Sequence, residues 1–136
     1  MSLYEISSAE LRQFVDPLDG KMWRCDSISE AEVLDAIFRG VREPMGWEEA
    51  MSKIQTPEEA KVFHINRIAT LYGMEMGTVA LILENHGEEI TGHIYDGNHR
   101  VAAAYVRKDP TIRIVVAASD PSKINITFPS AVPVSA

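Results

Sequence analysis

Tyr95-Asp96-Gly97-Asn98-His99-Arg100, running on into Val101-Ala102-Ala103-Ala104-Tyr105, is the stretch on which the reading of the chain turns. Ahead of it lie an apolar segment from Thr78 to Glu84, a polar turn over Asn85-His86-Gly87-Glu88, and a β-capable return from Glu89 to Tyr95. Behind it comes an alanine-rich helical pattern running to about Lys108, where Asp109-Pro110 stops it. The order is hairpin, tight turn, helix. On the return strand Ile90, Gly92 and Ile94 share one face, and Thr91, His93 and Tyr95 the other, because strand side chains alternate. Ala102, Ala103 and Ala104 let the helix approach a sheet closely. A glycine followed by polar and cationic residues at a helix start suits an anion, since backbone N–H groups and the positive end of the helix dipole point there. His99 and Arg100 add side-chain donors, and an Arg grips a phosphate through two parallel hydrogen bonds. A plainer reading also fits: Asp96 as N-cap, Gly97 easing the turn, and His99 and Arg100 as solvated first-turn residues.

Working outward toward the C-terminus, Thr111 to Ala118 is a strand of Ile and Val, and Asp120-Pro121-Ser122 is a turn. Ile124, Ile126 and Phe128 alternate as a last strand, and residues 129–136 have no periodicity and read as a loose tail. Toward the N-terminus, Thr56-Pro57-Glu58-Glu59 starts a helix whose Val62, Ile65, Ile68, Ala69 and Tyr72 line one face, with Gly73 as the stop. Trp47, Ala50, Met51 and Ile54 mark a shorter amphipathic turn or two. Ser27-Ile28-Ser29-Glu30 has capping-box spacing and precedes Ala31, Leu34, Ile37, Phe38 and Val41 at helical spacing. Lys21 to Cys25 reads as extended, after turn chemistry at Asp16-Pro17-Leu18-Asp19-Gly20. Ser7 to Glu10 is a further capping box for a helix to about Phe14, and Leu3 to Ile6 is a short edge strand.

The 136 residues suit one compact domain. The expected fold is α+β: a small mixed sheet with helices packed on it, with a helical part at 1–60. No apolar run approaches the roughly 18 residues of a membrane span, and no secretory signal is expected. The lone Cys25 forms no internal disulfide and fits a cytoplasmic, reducing location. The net charge is −7, with 13 acidic and 6 basic residues in 1–60 against 7 and 7 in 61–136. An acidic chain without a basic stripe is not built for tight nucleic-acid binding, whereas a small anion needs only a local nest of N–H groups.

The apolar strand, polar turn and return strand, then Asp-Gly-Asn-His-Arg-Val-Ala-Ala-Ala, then Ile-Arg-Ile-Val-Val, resemble the ParB/sulfiredoxin superfamily over roughly residues 62 to 118, and best over 90 to 105. The resemblance implies a site for the phosphates of ATP or CTP with Mg²⁺. By position, Gly97 would allow close approach, His99 and Arg100 would contact the phosphates, and Asn98 would face the pocket. Asp96 sets the chain near the Asp-Gly-x-His-Arg subgroup, which includes free amino-acid kinases, and there the motif Asp is implicated in catalysis. Asp96 would act as base or Mg²⁺ ligand, with Asp16, Asp19 or Glu43 as acidic partner by chain order alone. The implied activity is that of a phosphotransferase or nucleotide hydrolase. Asn98 stands where sulfiredoxin carries its catalytic Cys, so sulfinic-acid repair is not expected. Alternatives are a non-catalytic regulatory module that binds a small molecule or protein, and an accessory protein in DNA processing.

Other constellations carry less. His93, Asp96 and His99 lie three apart, but the turn after the strand redirects them, and no metal site is expected. His64 reads as a helix-surface residue and His86 as part of a turn. Trp23, Trp47, Met45, Met51, Met74 and Met76 read as packing residues.

Overall fold

The computed structural model describes residues 2–135. Met1 and Ala136, the ends of the expected domain and tail, lie outside the described residues. The fold is α+β: among the described residues, six α-helices and a five-stranded mixed sheet. The chain forms two compact units, one made of residues up to Asp16 together with those from Met76 onward, the other of Pro17–Glu75. The sheet unit therefore draws on the first sixteen residues, and residues 62–75 belong to the helical unit. No helix among the described residues is long and apolar enough to cross a membrane.

In the sheet unit, β1 (Ser2–Ser7) leads directly into α1 (Ser8–Phe14). β2 (Ala80–His86) and β3 (Glu89–Asp96) form the expected hairpin, and α5 (Asn98–Arg107) and β4 (Thr111–Ala118) follow. The strand order is β3-β2-β4-β1-β5, where β5 is Val132–Pro133. β2 runs parallel to β4; the other pairs are antiparallel. The hairpin loop is only Gly87-Glu88, and Gly87 takes φ +69, which the first central position of a tight II′-type turn requires. Leu81, Leu83, Ile94, Ile112, Ile114 and Val116 are buried at alternate positions, and residues 101–106 of α5 are all buried. The alanines there do what small residues permit, close seating of the helix. α5 ends where Lys108 turns left-handed at φ +65, just before Asp109-Pro110.

Four expectations for this unit change. β1 is not an edge strand, because β5 pairs with Tyr4 and Glu5 on its outer side. The segment expected as a loose tail is thereby tied down, with Ala131 buried and Val134 N–H donating to Leu3 O at 2.9 Å. Ile124, Ile126 and Phe128 do not form a strand. They lie on and just beyond a helical turn, α6 (Ile124–Thr127), whose i,i+4 spacing buries Ile124 and Phe128 together and leaves Ile126 exposed. At α1, Ser7 caps Glu10 N–H as expected, but the Glu10 carboxylate does not close the box; it accepts from the N–H and hydroxyl of Ser130.

In the helical unit, α2 (Glu30–Phe38), α3 (Trp47–Lys53) and α4 (Pro57–Leu71) form as expected in type and place. Lys21 to Cys25 is a turn rather than an extended segment, with Trp23 and Cys25 N–H groups both donating to Gly20 O. The capping box of α2 sits two residues later than expected, on Ser29 and Glu32. Hydrogen bonds from Ser29 and Lys61 hold the Glu32 carboxyl below its ordinary range. Leu34 and Phe38 are exposed, and Val33 and Ala36 take the core positions instead. Similarly, Val62 of α4 is exposed, while Ala60, Phe63 and His64 join Ile65, Ile68 and Ala69 inside. Both helices are thus rotated by about a residue from the face that counting apolar positions suggests.

Tyr105 links α5 to α1. The buried Tyr105 hydroxyl of α5 donates to Val15 O at 3.0 Å, just past the end of α1, and the Arg12 guanidinium lies over its ring at 5.3 Å. Burial, with Asp16 nearby, pushes the phenol well above its ordinary range. Tyr105→Phe keeps the ring and orphans that carbonyl, so it should cost about 1–2 kcal/mol. Urea denaturation of the two proteins checks this; equal midpoints would show that the hydroxyl contributes nothing.

Candidate functional site

The Asp96–Arg100 turn is built by two local features. The first is a break in the β2–β3 register: Leu81 pairs with Ile94, but Ala80 pairs with Asp96, so Tyr95 is an extra residue. Such a bulge bends the strand and re-aims its side chains; Tyr95 is 72% exposed. The second is Gly97, which takes φ +101 as the N-cap of α5. A Cβ there would lie 3.0 Å from Val79 Cγ2, so both conformation and space call for glycine.

Asp96 is the last residue of β3, exposed, and not the N-cap. Among the described residues its carboxylate has no hydrogen-bond or ion-pair partner. Gly97 has no side chain to cap the helix, so the first turn of this ten-residue helix lacks a side-chain acceptor at its cap. Asn98 turns back toward the strand and donates through Nδ2 to Ile94 O at 3.2 Å. Its Oδ1 is buried without a partner, an acceptor that costs free energy until a donor reaches it. His99 and Arg100 are half-buried. Arg100 Nη1 donates to Thr78 O at 3.3 Å, and the guanidinium lies against Gly77, where a Cβ would stand 3.2 Å from Cζ.

Of the acids considered as partners for Asp96, Asp16 is in an ion pair with Arg12 at 3.0 Å. Asp19 accepts from Lys21 N–H and Glu43 from Met45 N–H, each in its own turn of the helical unit. His93, Asp96 and His99 do not form a metal set; among the described residues no group of three such ligands converges. Cys25 is half-buried, and burial raises its thiol pKa, which lowers its reactivity.

The residue that sequence reasoning missed is His64. It is 1% exposed and stacks on Trp23 with ring centroids 4.3 Å apart and planes 11° from parallel. Phe63 meets it edge-on at 5.1 Å, and Trp47 lies tilted at 6.0 Å. Burial lowers its pKa to about 4, so the imidazole is neutral at physiological pH. Its spacing within α4 does not signal this, because Trp23, which stacks on it, and Trp47 come from other segments. Compared with known proteins, the chain matches no family model, no curated protein and no solved structure.

A His whose pKa is lower folded than unfolded binds fewer protons when folded. Its contribution is therefore complete above the unfolded value near 6.5 and is lost as pH falls toward about 4. The loss should be on the order of 3 kcal/mol between about pH 7 and pH 4. Urea denaturation of wild type and His64→Phe across that window isolates it, since the carboxylates titrate in both. Parallel pH profiles would mean that His64 is protonated equally in the folded and unfolded states.

Proposed function

We propose that the Asp96–Arg100 turn is a phosphate cradle for a nucleoside triphosphate, ATP or CTP with Mg²⁺, in a domain of the ParB/sulfiredoxin type. The observation that carries the reading is the left-handed Gly97 opening an uncapped ten-residue helix right after a β-bulge. Helix dipole and first-turn N–H groups favour an anion at that place. The unpartnered Oδ1 of Asn98 is suited to a ligand donor. Arg100 would exchange its 3.3 Å contact with Thr78 O for a charge-assisted bond to phosphate, and His99 would add a donor. Mg²⁺ would supply neutralisation of phosphate charge, and the free, exposed Asp96 is the residue to hold it or to take the proton of an attacking hydroxyl. In that transfer the hydroxyl oxygen bonds the terminal phosphorus, the bond to the bridging oxygen breaks, and the nucleoside diphosphate leaves. The single cysteine agrees with a cytoplasmic location.

A second reading has its own support. Arg100 already braces the Gly77-Thr78 backbone and Asn98 ties down Ile94, so the turn also works as a structural corner of a non-catalytic regulatory module. The acidic balance speaks against a DNA-processing role.

Calorimetric titration with ATP and CTP in Mg²⁺ separates these readings. Arg100→Ala should weaken binding roughly ten- to a hundredfold, the worth of a charge-assisted bond, with little change in stability. Arg100→Lys should recover part of it. Asp96→Asn should bind normally and lose any turnover. Absence of binding by wild type at millimolar nucleotide favours the structural corner, and undiminished binding by Arg100→Ala places the nucleotide elsewhere.

A further inference from the structure

The helical unit contains a cavity of about 440 Å³, lined entirely by its own residues. That volume is within the roughly 300–1,000 Å³ of small-molecule sites. One wall is the Trp23–His64 stack, and Trp47 stands beside it, tilted by 43° to the imidazole. Trp47, Met51 and Met22 also line it and are 53%, 40% and 47% exposed. Large apolar side chains left wet around one concavity are the mark of a surface that gains by being covered.

The charge around the cavity is the second observation. Pro17–Glu75 holds eleven acidic and seven basic residues, a net of 7 − 11 = −4. Yet among the described residues no carboxylate lines the cavity, and Arg24 is its one charged lining residue. Arg24 is exposed, and among the described residues its guanidinium has no hydrogen-bond or ion-pair partner. Its backbone is left-handed, φ +55, a conformation that an Arg adopts at a cost and a Gly adopts freely. A cation is thus held, at some strain, beside an aromatic hollow in an acidic unit.

We propose that this cavity binds a small planar aromatic anion, its ring against Trp47 and the Trp23–His64 stack and its charge on Arg24. The aromatic walls favour a flat π-system through stacking geometry. The guanidinium selects carboxylate or a similar anion through paired N–H donors. Gln55 adds an amide at the lining for orientation. The site is independent of the phosphate cradle, and neither reading depends on the other.

The chain has two tryptophans, and both line the cavity, so intrinsic fluorescence reports on it directly. Naphthoate, naphthamide and cyclohexanecarboxylate are the probes, titrated by calorimetry with fluorescence in parallel. Naphthoate should saturate in the micromolar to millimolar range and perturb the tryptophans, and the neutral amide and the non-aromatic acid should each bind about tenfold or more weakly. Arg24→Gly relieves the backbone strain, so it should melt no lower than wild type while losing the preference for naphthoate over naphthamide. Trp47→Ala, at an exposed position, should stay folded and bind at least tenfold more weakly. The proposal is overturned if naphthoate fails to saturate at millimolar concentration, if naphthamide binds wild type equally well, or if either variant, shown folded by circular dichroism, binds as wild type does.

Discussion

The pairing of β4 on both its edges is the constraint on which the sheet unit depends. Thr111–Ala118 bonds antiparallel to β1 and parallel to β2, so a strand from the beginning of the chain and one from its second half meet on it. Its N–H and C=O groups then have partners on both sides, as buried backbone requires. Parallel pairing of β2 with β4 demands a crossover, and β3 with α5 provides it. The corner between β3 and α5 is therefore where the chain must reverse within a few residues. The bulge at Tyr95 and the left-handed Gly97 are how it does so.

That corner has a chemical consequence. A reversal that places glycine at the N-cap removes the side chain that would otherwise satisfy the first helical turn. The Asp96 carboxylate, released from capping, is left in water at the strand end. Donors, a carboxylate and the orphaned Asn98 Oδ1 collect within three residues, on rigid elements rather than on a long loop.

The helical unit rests on another kind of contact. A neutral imidazole is held between indole and phenyl rings, and the α2–α4 packing is closed by the Lys61–Glu32 pair at 3.0 Å. Burying His64 is tolerable because the ring goes in uncharged, which ties this core to solvent pH as a Phe would not.

What could be read from single residues follows local rules. The hairpin turn at Gly87, the start of α4 at Thr56-Pro57, the halt of α5 before Asp109-Pro110 and the alternation of β4 depend on neighbours within a few positions, so local residue pattern specifies them, as it does the α+β class. The turn at Asp96–Arg100 was legible as a helix start, but not the identity of its cap, since Asp96 and Gly97 are both good caps and the strand bulge decides between them. The tertiary structure alone decided the rest. Ile124, Ile126 and Phe128 fit a strand period as well as a helical turn, and burial of Ile124 beside Phe128 chose the turn. Residues 132–133 became a strand only because β1 offered an open edge to them. His64 and Val62 exchanged their expected places because Trp23, distant in sequence, stacks on His64 and Trp47 closes beside it, and no period within α4 carries that information.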